Sequence, residues 1–225
     1  MKSNFPFLPT QFKGILFDFD GVLACTMEDN FRAWHRTFFD FGAEITEKQF
    51  YPLEGMRLEE IAAALCSMHG VFADMQEIFR KKEAYYKEDH SFSLYPGVEE
   101  FLERLTNASI SMGMVTGARR ERLEHTFPSP LLTKFSVIVT GETGGRGKSY
   151  PDPYIAGARG IGILPQECIV VENAPLGITS AKAAGAYCIA ITSTVFKEVL
   201  KEADEVIESF SDLQHTIPIQ QLLNQ

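Results

Sequence analysis

Five short, almost wholly apolar runs constrain this chain more than anything else in it: Ile15–Phe17, Ser111–Val115, Val137–Thr140, Cys168–Val171 and Tyr187–Ile191. A strand that is apolar at consecutive rather than alternate positions has both faces covered, as in a parallel sheet. Between the runs lie stretches with helical spacing. Val98, Phe101, Leu102 and Leu105 mark one helix face, and the Ala-rich segment Gly177–Ala184 is closed by Gly185, a helix stop. Strands alternating with helices predict an α/β fold built on a parallel sheet. Ligands of such sheets bind beyond the carboxyl ends of the strands, and the polar clusters of this sequence lie there.

Residues 30–93 break the alternation. Phe31, Trp34, Phe38 and Phe41 recur at helical spacing, as do Ile61 with Leu65, and Met75 with Ile78, Phe79, Lys82 and Tyr86. Helices without an intervening strand bury their stripes against one another. The expectation is a helical bundle over 29–93, inserted into a core made of 1–28 and 94–225. Tyr95-Pro96-Gly97 punctuates the return to the core.

Charge narrows the function classes. The formal net charge is −9 and no segment concentrates basic residues. That argues against a nucleic-acid partner, whose backbone needs a basic surface, and no obligate protein partner is inferred. Met1–Gly14 is interrupted by Pro6 and Pro9, and no run of roughly 18 apolar residues is present to span a membrane. Cys25, Cys66, Cys168 and Cys188 form no CxxC pair. A cytoplasmic protein with reduced thiols is expected.

Four strand-end clusters carry the chemistry. In Asp18-Phe19-Asp20-Gly21-Val22-Leu23, followed by Thr26, two carboxylates close a buried strand, which is costly unless a cation or hydrogen bonds offset them. Thr116-Gly117-Ala118-Arg119 ends the second run. A hydroxyl and the N–H groups of a helix start can hold a phosphoryl oxygen there. Gly147-Lys148-Ser149-Tyr150-Pro151 offers a loop lysine able to neutralise a carboxylate and an incoming anion. Glu172-Asn173-Ala174-Pro175-Leu176-Gly177 adds the oxygen donors that a hard cation prefers, although Asn173 also suits the cap of the next helix.

In type and order these clusters resemble the four motifs of the haloacid dehalogenase superfamily, a Rossmann-like fold. The first matches DxDGxx[LV]. The resemblance implies that Asp18 attacks phosphorus to form an aspartyl-phosphate, and that Asp20 protonates the leaving group and then activates water. Thr116 and Gly117 would hold the phosphoryl group and Lys148 would neutralise it. Asp18, the Asp20 carbonyl, Glu172 and Asn173 would bind Mg2+. Two departures stand out: Ser149 replaces the usual first Pro after the lysine, and Asn173 replaces the usual Asp. Asn30-Phe31-Arg32-Ala33-Trp34 and Leu53-Glu54-Gly55 are similar to the cap entry and substrate loop of the β-phosphoglucomutase-like subfamily. Asn30, Gly55, Arg57 and Arg119 are therefore candidate substrate contacts.

The activity implied is a magnesium-dependent phosphatase acting on a small phosphorylated metabolite, with sugar phosphates foremost. A mutase is the alternative. Against it, Glu54 stands where those mutases carry Lys, Leu58 where they carry Arg, and Asn30 where they carry His. Carbon–halogen hydrolysis is disfavoured by Asp20, because a halide needs no proton. A silent binding module is disfavoured by the intact set Asp18, Asp20, Thr116 and Lys148. Trp34 and the Phe stripe read as bundle core, and the five histidines as surface or helix-end residues. Arg80-Lys81-Lys82 reads as a solvated helix face.

Overall fold

The computed structural model describes residues 11–143 and 145–224. The Pro-interrupted N-terminal stretch up to residue 10, and with it the start of the expected core range, lies outside the described residues, as do Gly144 and Gln225. Six strands form one sheet in the order β3-β2-β1-β4-β5-β6: β1 (Gly14–Phe17), β2 (Ser111–Val115), β3 (Val137–Val139), β4 (Cys168–Glu172), β5 (Tyr187–Ile191) and β6 (Glu205–Ile207). Every neighbouring pair is parallel, and Phe17 of β1 stands in register with Met114 on one side and Val171 on the other. All five apolar runs form strands that begin and end as predicted, to within one residue. The edge strand β6 was not foreseen.

The helices are α1 (Met27–Phe39), α2 (Glu47–Phe50), α3 (Leu58–His69), α4 (Met75–Asp89), α5 (Val98–Asn107), α6 (Arg120–Thr126), α7 (Ser129–Leu132), α8 (Asp152–Gly160), α9 (Pro175–Ala184) and α10 (Ile217–Leu223). Successive strand residues point to opposite faces, and here both faces are dry. Ile15, Phe17, Met114, Ile169 and Val171 enter one apolar cluster with Phe101, Leu102, Leu123 and Leu222 of the helices. Leu16, Val115, Cys168 and Val170 enter another with Tyr154, Ala158, Ile178 and Ala181. This two-sided cover is why the runs are continuously apolar.

Helices α1 to α4 bury a third cluster of their own, built from Trp34, Phe38, Phe50, Leu65, Ile78 and Phe79. The chain leaves and re-enters the sheet side by side. Cys25 donates its N–H to the Ser93 carbonyl (2.9 Å) and Tyr95 to that of Leu23 (3.1 Å). The chain therefore enters and leaves the bundle through two hydrogen-bonded segments. Because β1 is flanked by β2 and β4, the connections part in opposite directions beside it, and the crevice beyond its carboxyl end is where a ligand fits.

Candidate active site

Asp18 follows β1 directly, and its N–H is held by the Val171 carbonyl of β4 (3.0 Å). Its carboxylate is buried, with Lys148 Nζ 2.7 Å from Oδ1. The same ammonium lies 2.7 Å from Glu172 Oε1 at the end of β4. Burial pushes the Asp18 carboxyl up, and the neighbouring Glu172 charge adds to this against the pull of Lys148. Burial alone would lower the Lys148 ammonium, but Asp18 and Glu172 outweigh it and hold the cation firmly protonated. Two carboxylates and one ammonium leave one negative charge in excess.

The Glu172 carboxylate is held by four donors. Oε1 accepts from Lys148 and from the Tyr154 hydroxyl (2.7 Å each), and Oε2 from the N–H groups of Asn173 (2.9 Å) and Ala174 (3.1 Å). With four donors on two oxygens, Glu172 anchors Lys148. Gly177 is explained by this arrangement, since a Cβ there would lie 1.7 Å from Glu172 Oε1. Asn173 does not cap α9 either. The helix starts after Ala174 with Pro175, which lacks the N–H that would go unsatisfied. The Asn173 side chain turns instead to Thr194 Oγ1 (2.9 Å), and its Oδ1 is buried with no partner.

Asp20 faces the helical bundle. Arg122 of α6 forks onto it with both terminal nitrogens, Nη1 2.9 Å from Oδ1 and Nη2 on Oδ2; Thr26 Oγ1 (2.5 Å) and Asn30 Nδ2 (3.3 Å) also donate to Oδ1. Burial would raise this carboxyl, but Arg122 and the hydrogen bonds outweigh it and hold it below its usual range. Gly21, at φ +82°, makes the turn that returns the chain from Asp20 to Ala24. A Cβ at Gly21 would also lie 2.2 Å from Asn173 Nδ2.

Thr116 ends β2, buried, with its Oγ1 accepting from the Ala118 N–H (3.0 Å). Gly117 and Gly55 are where bundle and sheet meet. A Cβ at Gly117 would stand 2.6 Å from the Met56 carbonyl, and one at Gly55, where φ is +83°, would stand 3.2 Å from Lys148 Cδ. The two candidate arginines are already engaged. Arg57 pairs with Glu60 (2.7 Å) and reaches the Gly145 carbonyl (3.3 Å), while Arg119 pairs with Glu59 across the interface. Asn30 serves Asp20 and the Thr26 carbonyl. The cavity enclosed by Asp18, Asp20, Trp34, Glu54, Lys82 and Arg122 measures about 50 Å³, room for a few waters.

Lys82 corrects the reading of a solvated face. It is 2% exposed, lies over the Trp34 and Tyr86 rings and pairs with Glu83 (3.0 Å); burial, reinforced by Arg122, brings it down to about 8 despite Glu83. Its place in the apolar stripe with Ile78, Phe79 and Tyr86 was the usable signal. Arg122, Tyr154 and Thr194 were not singled out, and no local pattern marks them; Glu54 was noted only as a departure in the Leu53-Glu54-Gly55 loop. Glu54 is 4% exposed. Its Oε2 accepts from Thr194 Oγ1 (2.9 Å) and lies 3.5 Å from Asn173 Nδ2, and its Oε1 has no partner. Burial first, then the charges of Asp18, Glu172 and Asp20, push its carboxyl well up.

Among the described residues no three His, Cys, Asp or Glu side chains converge as a metal cage. The donor set is mixed, which suits magnesium, an ion that keeps several waters and takes one or two carboxylates. The buried, unpartnered Asn173 Oδ1 is an acceptor that such a cation satisfies. The residues fit.

A family model described as haloacid dehalogenase-like hydrolase matches residues 15–191. Hexitol phosphatase A of Escherichia coli is 31% identical over 221 residues, covering 91% of this chain and 94% of that protein. Beta-phosphoglucomutase of Bacillus subtilis is 26% identical, covering 89% and 91%. Among solved structures, CbbY from Rhodobacter sphaeroides in complex with phosphate superposes with a TM-score of 0.80 at 25% identity, covering 90% of this chain and 96% of that one. Beta-phosphoglucomutase from Clostridium difficile, at 24% identity, shares the fold with a TM-score of 0.80 over 95% and 97%. The matched span runs from β1 through β5 and so contains Asp18, Asp20, Thr116, Lys148 and Glu172, and the chain belongs to the haloacid dehalogenase-like hydrolases.

Proposed function

We propose that this enzyme is a magnesium-dependent phosphatase of small phosphorylated sugars or polyols, working through an aspartyl-phosphate on Asp18. The observation that carries the reading is the Asp18–Lys148–Glu172 chain, in which a buried carboxylate at a strand end is paired with an ammonium that is itself anchored. An Asp18 oxygen attacks phosphorus, the bond to the sugar oxygen breaks, and that oxygen takes a proton from Asp20. Water then attacks the aspartyl-phosphate, gives its proton to Asp20, and phosphate leaves as Asp18 is restored. Arg122 must release Asp20, which then takes up a proton from solvent, before the first of these transfers. Lys148, Thr116 Oγ1 and the N–H groups after it offset the charge on the phosphoryl oxygens. Asp18, the Asp20 carbonyl and Asn173 Oδ1 are the residues that would hold Mg2+, which when bound supplies charge neutralisation at Asp18 and the phosphoryl group.

The division into a core of 1–28 and 94–225 and a cap of 29–93 belongs to the same proposal. A cavity of about 50 Å³ does not admit a sugar phosphate, so the cap opens for substrate and closes for chemistry. Among the described residues no helix is long and apolar enough to cross a membrane.

Hydrolysis is favoured over mutase chemistry. A mutase must hold a distal phosphate in its cap, yet Glu54 and Leu58 stand where cations are needed and Arg57 is committed to Glu60 and Gly145. The test is β-glucose 1-phosphate with a trace of the 1,6-bisphosphate and Mg2+. Inorganic phosphate is the expected main product, and glucose 6-phosphate forming much faster would reverse the assignment.

A further inference from the structure

Four buried or nearly buried carboxylates gather beyond β1 and β4: Asp18, Asp20, Glu54 and Glu172. Their cations can be counted. Lys148 bridges Asp18 and Glu172, Arg122 takes Asp20, and Lys82 is committed to Glu83. Glu54 has no ion-pair partner among the described residues.

Two buried oxygens in this cluster also lack any hydrogen-bond donor, Glu54 Oε1 and Asn173 Oδ1. They belong to side chains already in contact, Asn173 Nδ2 standing 3.5 Å from Glu54 Oε2. A buried acceptor left without a donor bears its full desolvation penalty. A carboxylate oxygen and an amide oxygen are the hard donors that magnesium takes.

Glu54 comes from the other side of the interface. It precedes Gly55 and Met56, the loop that sits on Lys148 and Gly117 so closely that a Cβ on either glycine would crowd its neighbour. Thr194, which orients Glu54, belongs to the loop after β5. Glu54 therefore reaches the cluster only when the cap loop is seated.

We propose that Glu54 is a cation ligand delivered by the cap, so that magnesium binding and cap closure are one linked equilibrium. This rests on the magnesium reading above. An ion that finds an extra carboxylate only in the closed form binds that form better and shifts the population toward it. Without the ion, closure buries a Glu54 oxygen that no donor satisfies, and that cost opposes it. The cation thus acts as a latch as well as a catalytic charge.

The experiment needs no turnover. Mg2+ binding is measured by calorimetry, and amide hydrogen exchange is followed across residues 53–58 with and without Mg2+, in the wild type and in Glu54→Gln. The wild type should bind Mg2+ and slow exchange in that loop. Glu54→Gln should bind at least ~10-fold more weakly, show a loop already protected without the ion, and gain no protection from it. Unchanged exchange in β1 and β4 certifies its fold. If the variant does not fold, Glu54→Asp, which keeps the charge but retracts it, must show the same loss of Mg2+-induced protection. A variant that binds Mg2+ as the wild type does, or whose loop still responds to it, overturns the proposal while leaving the magnesium reading intact. A wild type that takes up no Mg2+ overturns both.

Discussion

Removing the arginine that grips Asp20 should cost more stability than any other single change in the site. Arg122 is 6% exposed and forks onto the carboxylate, while the Asp20 side chain is 16% exposed. Breaking a buried ion pair by deleting one partner costs about 3–5 kcal/mol, because the other charge stays buried. Asp20 keeps some water and two hydrogen bonds from Thr26 and Asn30, so the low end applies, about 3 kcal/mol for Arg122→Met. Met retains the contact with the Tyr86 ring, over which the guanidinium lies at 5.2 Å. At roughly 2–4 °C per kcal/mol for a chain of this size, the melting temperature should fall by about 6–12 °C. The partner change Asp20→Asn removes the stranded charge, so the double variant should recover much of the loss and the cycle should show a coupling of about 1–3 kcal/mol. Acid gives an independent check. Asp20's carboxyl lies below its unfolded value of 3.8 in the folded protein, so its contribution is complete above that pH and fades as the pH falls through the lower folded value. In Arg122→Met the stranded carboxyl lies above the unfolded value, so acid favours the variant's folded state. The gap between wild type and variant should therefore narrow on acidification from pH 7 toward 4. Urea unfolding followed by circular dichroism measures each value. A loss under ~0.5 kcal/mol, or strict additivity with Asp20→Asn, would refute the view that this pair is a buried clamp.

Asp18→Asn should abolish turnover while leaving the urea midpoint near that of the wild type, and beryllofluoride should modify Asp18 alone; near-normal phosphatase activity in the variant would end the mechanism. Asn173→Ala should raise the Mg2+ concentration for half-maximal activity and Asn173→Asp should lower it or leave it unchanged, read from magnesium titrations at fixed substrate. Gly177→Ala drives a Cβ into Glu172, which four donors hold in place, so it should cost about 1–3 kcal/mol and lower kcat by displacing Lys148. Equal kcat in that variant would show that Glu172 does not position the lysine.

The parts of this molecule that were readable from residues alone share one property: their partners lie close along the chain or repeat at a fixed period. The two-sided burial of β1, β2, β4 and β5 shows as apolar runs because each consecutive side chain meets a helix layer. The edge strand β6 has three half-buried residues beginning with a glutamate, so no run announces it. The four motifs were readable because each follows its own strand, three directly and the Lys148 motif after a loop. Lys82 was visible in the helical stripe of Ile78, Phe79 and Tyr86, and was misread because a lysine among charged neighbours usually faces water.

The sequence by itself determined a parallel α/β sheet, a helical insertion after the first strand, and the identity of Asp18, Asp20, Thr116 and Lys148 as the strand-end chemistry, since periodicity and motif spacing are local properties. Only the tertiary structure decided what those groups touch. Arg122 meets Asp20 across 102 positions of sequence, Thr194 meets Glu54 across 140, and Glu172 turns out to anchor Lys148 through Tyr154 and two backbone N–H groups. Burial strengthens every such pairing and penalises every charge left out of one, so the unpaired Glu54 acquires meaning only once the fold has closed around it.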